Sequence, residues 1–118
     1  MTHQLNAPAP AGAAFLGCTV VVIPALNEAP CIADTVLAWR MRGVALVRVV
    51  DNGSTDDTAA RARDVGAEVL VEPRRGYGAA AWAGTRDLPP TIEWILFSSA
   101  DGSDRLDSES AKAFQARI

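Results

Sequence analysis

The chain has 118 residues, about half of them apolar (49%), and a net charge of −3. That length suits one domain whose core is possible but not generous, and a charge balance with no basic stripe argues against nucleic acid as a partner, because binding a phosphate backbone relies on clustered Lys and Arg. Two cysteines, Cys18 and Cys31, form no C-x-x-C pair and no disulfide framework, which makes a reducing cytosol the default compartment.

Residues 1–17 are Pro- and Ala-rich and read as a flexible N-terminal tail, with residues 18–118 as the domain. No Lys or Arg precedes the first apolar stretch, so the tail does not have the form of a signal peptide. Phe15 to Cys18 loosely matches a lipoprotein cleavage site, but without a charged segment before it Cys18 is better read as a small apolar residue entering the first strand. No stretch approaches the roughly 20 apolar residues of a membrane span.

Thr19 to Ile23 is a continuous β-branched run, the pattern of a strand buried on both faces, and Pro24 is expected to end it. Asn27 is a candidate N-cap for a helix with Pro30 in its first turn, an apolar stripe of Ile32, Val36, Leu37 and Trp39, and Gly43 at its close. Ala45 to Val50 is the second strand. In the turn that follows, Ser54 or Thr55 is expected to cap a helix with Asp56 and Asp57 in its first turn. That helix directs Ala59, Ala62 and Val65 at the sheet and ends at Gly66. Ala67 to Val71 is a short third strand, and Glu72 to Gly84 is a loop feeding a small-residue helix able to lie close to a sheet. Pro89 and Pro90 break that helix, Thr91 to Ser98 is a fourth strand, and Arg105 to Ile118 is a weakly amphipathic helix candidate. Strands alternating with helices define an α/β domain: an open, mostly parallel sheet with helices on both faces, joined by right-handed crossovers.

Three strand ends run into polar turns, and in a parallel sheet ligands bind in the crevice beyond the carboxyl ends of the strands. The first carries Asn27 and Glu28, the second Asp51 and Ser54, and together they describe a nucleotide-binding lip. The third, Ser98 to Asp104, offers Asp101 as the lead ligand for a hard cation such as Mg2+ or Mn2+, with Ser103 and Asp104 assisting. Each has a plainer reading. Asp-Gly is a common turn dipeptide, Asp51 before Asn-Gly can close an Asx-turn, and Glu28 can be a solvated charge at a helix start. Arg74 and Arg75 can likewise be a solvated pair, but adjacent arginines beside Gly76, Tyr77 and Gly78 suit a diphosphate, since glycines let the backbone approach phosphate at a helix start. Trp82 is the one tryptophan near the presumed cleft. The single histidine, His3, lies in the tail, so no Ser-His-Asp, Cys-His or zinc arrangement can be built around the sheet.

Taken together, V-V-I-P-A-L-N-E, V-D-N-G-S-T-D-D-T, R-R-G-Y-G-A-A and A-D-G-S resemble the family 2 glycosyltransferases, nearest the dolichol- or polyprenyl-phosphate mannosyltransferase branch, from about Thr19 to Asp104. The resemblance implies the GT-A fold, a Rossmann-like nucleotide-diphosphosugar domain. It implies sugar transfer from a GDP- or UDP-linked donor, usually with inversion, using Mg2+ or Mn2+, with a polyprenyl-phosphate acceptor at the inner face of the membrane. It assigns Pro24, Ala25, Asn27 and Glu28 to the nucleotide pocket, and Asp51 with Asn52 to the base or ribose, in a turn completed by Gly53 and Ser54. Arg75 and Gly76 fall along the ribose-diphosphate. Ser99-Ala100-Asp101 occupies the place of the family's D-x-D motif, with Ala100 against the nucleotide sugar and Ser99, Asp101 and Ser103 as metal ligands.

Two departures stand out. Ser99 replaces the usual Asp with a weaker, uncharged ligand, and the acceptor-binding half with its catalytic base has no counterpart motif before Ile118. A second reading is therefore a truncated donor-binding remnant that binds nucleotide without transferring sugar; an incomplete domain of this kind is expected to self-associate or take a partner chain. A third, a sugar-1-phosphate nucleotidyltransferase, calls for a glycine-rich basic loop directly after the first strand, which P-A-L-N-E lacks. A receiver domain calls for a lysine late in the sheet, and the single lysine, Lys112, follows the last expected strand.

Overall fold

The computed structural model describes residues 13–102 and 112–115. In chain order the elements are α1 (Ala13–Leu16), β1 (Thr19–Ala25), α2 (Ala29–Met41), β2 (Leu46–Asp51), α3 (Thr58–Asp64), β3 (Glu68–Val71), α4 (Tyr77–Gly84), β4 (Trp94–Phe97) and β5 (Lys112–Gln115). They form one five-stranded sheet in the order β3-β2-β1-β4-β5, parallel except for β5.

The β-branched runs sit where their composition demands. Val20 to Ile23 and Val49 to Val50 are fully buried, covered on one face by Ile32, Val36, Trp39 and Ala62 of α2 and α3 and on the other by Ala80 of α4 and Ile92. Helices thus cover both faces, as expected for near-continuous apolar strands. The small-residue helix α4 lies close to the sheet: a Cβ added at Gly84 would stand 2.3 Å from Val22 Cγ1.

Several local expectations give way to longer-range bonding. β1 runs through Pro24 to Ala25, paired with Val50 and Asp51. Parallel strands direct alternate residues to opposite neighbours. Val22 O accepts from Ser98 N and Ala25 O from Asn52 N, so Pro24 faces the β4 side beyond the last β1–β4 pair, Val22 with Phe97. Its missing N–H falls where the two strands have parted and costs no ladder bond. The expected tail contains the helical turn α1, and Phe15 packs edge-on against Trp94 with ring centroids 5.5 Å apart. Leu37 is exposed rather than part of the α2 stripe, and Trp82 is exposed as well. The expected C-terminal helix is corrected at residues 112–115, which pair antiparallel with β4; so short a segment takes its structure from the strand it pairs with. The rest of that segment lies outside the described residues. No helix among the described residues is long and apolar enough to cross a membrane.

Candidate functional site

The chain leaves β1 toward β2 and β3 on one side and returns through β4 on the other, so the strand order reverses at β1, where open α/β sheets place their ligand crevice. A cleft of about 340 Å³ opens at the carboxyl ends of β1 and β2, lined by Pro24, Ala25, Leu26, Asn52, Arg75, Gly76 and Tyr77. Five of these are expected site residues. Leu26 and Tyr77 are additional, and the adjoining β1 end and glycine loop were the signal available for them. Trp82 is not among the lining residues.

The first two strand-end turns are locked together. Asn27 does not cap α2. It takes a left-handed conformation (φ 54°), its Oδ1 accepts from Thr55 N at 2.8 Å, and its own N–H donates to Ser54 Oγ at 2.8 Å. Ser54 and Thr55 therefore do not cap α3, which begins at Thr58. Asp56 does the capping work across both turns: Oδ1 accepts from Thr58 N and the Thr58 hydroxyl, while Oδ2 accepts from Ala29 N at 3.2 Å. These bonds, the Thr58 hydroxyl first, hold the Asp56 carboxyl below its ordinary pKa. Thr58 is fully buried and also accepts from Glu28 N at 2.9 Å. Glu28 itself stands half-buried at the N-cap of α2 with no capping bond from its side chain. Gly53 sits exposed at the turn tip, and the buried Asp51 accepts from Ser54 N at 3.0 Å, the turn-closing bond of its plainer reading.

The loop from Glu72 to Gly76 separates the two arginines. Glu72 is buried and accepts from the Arg74 backbone N–H at 2.8 Å and from its guanidinium at 3.2 Å. Those bonds, led by the side-chain pair, pull the Glu72 carboxyl pKa down and push Arg74 up. Arg74 is thus held by Glu72, whereas Arg75 turns to the cleft and forms no ion pair among the described residues. Gly76 is the N-cap of α4 at φ 115°, a conformation open to glycine. α4 begins at the cleft, where the first-turn N–H groups of a helix lie beyond the reach of its own i−4 carbonyls.

At the other end of α4, Arg48 is buried within β2 and donates to the carbonyls of Gly84 (3.1 Å), Arg86 (2.6 Å) and Asp87 (3.4 Å) while pairing with Glu68 on β3. An arginine inside an otherwise apolar strand was the sequence signal for this anchor.

The third turn is held by α2. Trp39 Nε1 donates to Ser98 Oγ at 3.0 Å, and the Thr35 hydroxyl lies 3.1 Å from Ala100 O. Ala100 is buried, and Ser99 Oγ donates to Asp101 Oδ1 at 2.8 Å. Among the described residues no three His, Cys, Asp or Glu side chains converge as a metal cluster. One exposed carboxylate and one hydroxyl at a strand end are hard oxygen donors. They fit a cation that takes its other ligands from phosphate and water, as Mg2+ commonly does. Ser103 and Asp104 lie outside the described residues.

An open, mostly parallel sheet with a cleft at its strand-order reversal is the doubly wound class of α/β domain. The chain belongs to glycosyl transferase family 2, whose model matches residues 20–107. Over 83 residues it is 47% identical to an uncharacterised glycosyltransferase of Mycobacterium tuberculosis, covering 70% of this chain and 36% of that one. It is 34% identical over 92 residues to the RfbJ protein of Shigella flexneri, covering 77% of this chain and 68% of that one. Among solved structures it is similar to glucosyl-3-phosphoglycerate synthase of M. tuberculosis in complex with Mn2+, uridine diphosphate and glucosyl-3-phosphoglycerate. The TM-score is 0.66 and the identity 27%, over 76% of this chain and 38% of the synthase. The match thus spans little more than a third of the mycobacterial proteins. The GT-A architecture expected from the motifs is the one observed.

Proposed function

We propose that this chain is the donor-binding domain of a glycosyltransferase and holds a nucleoside diphosphate sugar in the β1–β2 cleft. The observation that carries the reading is the division of labour in the Glu72–Gly76 loop: Arg74 is neutralised by Glu72, and Arg75 turns to the cleft beside the α4 N-terminus. A guanidinium next to helix N–H groups suits a diphosphate. The base and ribose fall toward Pro24, Ala25 and Leu26, with Asp51 and the interlocked turns behind them.

A divalent cation bound at Asp101 would neutralise charge on the leaving diphosphate. The chain's own residues set the geometry: Ser99 orients the carboxylate, and Trp39 and Thr35 fix the turn that bears it. UDP is the favoured diphosphate because the similar synthase was solved with it; GDP is the alternative suggested by the mannosyltransferase-like motifs. Those motifs also support a polyprenyl-phosphate acceptor at the inner membrane face.

Calorimetric titration with UDP and with GDP, each with and without Mn2+, tests the reading. Metal-enhanced binding that is lost in Asp101→Ala is the expected result. A folded chain that binds neither nucleotide refutes it.

A further inference from the structure

The similarity in motif places Asn52 against the base or ribose, but its bonding in the fold points elsewhere. Asn52 Nδ2 donates to Glu72 O at 2.8 Å and to Arg74 O at 2.7 Å, and Oδ1 accepts from Gly76 N at 3.0 Å. Two carbonyls on one side of the amide and an N–H on the other fix which end is nitrogen. An Asn amide has two donor hydrogens, and both are used. Its backbone N–H is taken as well, by Ala25 O at 2.9 Å.

The three bonds span the loop on both sides of Arg75, at Arg74 and Gly76, from a residue rigidly placed at the end of β2. The first residue of the loop is further tied to β2, where Asp51 O accepts from Glu72 N at 2.9 Å. Glu72 restrains Arg74 from within the loop, and Arg75, between the two anchors, lines the cleft.

We propose that Asn52 is a positioning residue that shapes the Glu72–Gly76 loop, aiming Arg75 at the diphosphate, and that it makes no donor contact with base or ribose. This rests on the donor-site reading above. It yields a coupling a direct contact would not: removing Asn52 costs affinity through Arg75.

The test is a double-mutant cycle on UDP affinity with Asn52→Ala and Arg75→Ala, joined by Asn52→Asp and amide hydrogen exchange at Gly76. Each single alanine variant is expected to weaken UDP by about tenfold or more, the scale of a hydrogen bond to a charged group. The double variant should match Arg75→Ala alone. Asn52→Asp keeps the acceptor for Gly76 but opposes a carboxylate to two carbonyls, so it too loses affinity, whereas a carboxylate in direct contact with ribose hydroxyls would keep it. Gly76 exchange should accelerate in Asn52→Ala, which removes its acceptor, while the β1 and β2 amides hold, a readout that also certifies folding. Losses that multiply in the double variant, retained affinity in Asn52→Asp, or unchanged Gly76 exchange overturn the proposal alone. A folded wild-type chain that binds neither UDP nor GDP overturns the donor-site reading and this one with it.

Discussion

Gly84 is where packing and site geometry meet, and Gly84→Ala is the sharpest perturbation of both. An alanine Cβ there would lie 2.3 Å from Val22 Cγ1, 3.2 Å from Val22 Cγ2 and 3.1 Å from Val50 Cγ2. Carbon atoms rest at about 3.5–4.0 Å, so α4 must lift by more than ~1 Å or the fully buried Val22 must leave its rotamer. Overpacking of this kind costs about 1–3 kcal/mol. The gain in helix propensity, at most about 1 kcal/mol in a helix interior, is smaller at this last helical residue. The net expectation is a loss of about 1–2 kcal/mol in urea unfolding, with a lower midpoint and an unchanged slope. Because α4 also carries Gly76 and Tyr77 to the cleft, nucleotide affinity should fall with it. Val22→Ala removes the obstructing methyls, so the double variant should be more stable than the summed losses predict, by about 1 kcal/mol. Strict additivity, or an alanine variant more stable than wild type, would refute the close approach of α4 to the sheet.

Three further outcomes follow from the same contacts. Arg48→Met strips its donor from three carbonyls at the α4 end while leaving Glu68 half-exposed to water, and should cost about 2–3 kcal/mol in the same unfolding assay. Thr58→Val preserves shape but leaves the Glu28 N–H without its acceptor, and should cost about 1–3 kcal/mol. Asp56 and Glu72 have folded-state pKa values below their ordinary range, so the stability they contribute is complete above about pH 4 and is lost as pH falls through the folded values. Thermal melts should show a decline below about pH 4 that is shallower in Asp56→Asn, because one of the two depressed groups is gone; an identical decline would remove Asp56 from the account.

The fold was legible because continuous β-branched runs such as Val20 to Ile23 have few uses other than a strand buried on both faces, and because polar turns with asparagine and glycine follow the strands. The cleft was legible through Arg75 and Gly76 for the same local reason. What escaped was bonding across distance. Asn27 looks like an N-cap in its own segment, yet its partners are Ser54 and Thr55, brought beside it only once β1 and β2 pair. The amide of Asn52 finds its partners in the Glu72–Gly76 loop, 20 or more positions away. Residues 112–115 carry no strand signal of their own and become β5 by pairing with β4. Arg48 was visible as a charge inside a buried strand, but its carbonyl partners at and just beyond the end of α4 lie 36 or more positions away.

The central claim is that the β1–β2 cleft receives a nucleoside diphosphate, and amide chemical-shift mapping during titration with UDP and Mg2+ tests it most directly. Shifts should gather at Ala25, Leu26, Gly53, Arg75, Gly76, Tyr77 and Asp101, leaving the far end of α2 at Met41 still. A folded chain whose shifts stay unchanged, or move only away from that cleft, would contradict it.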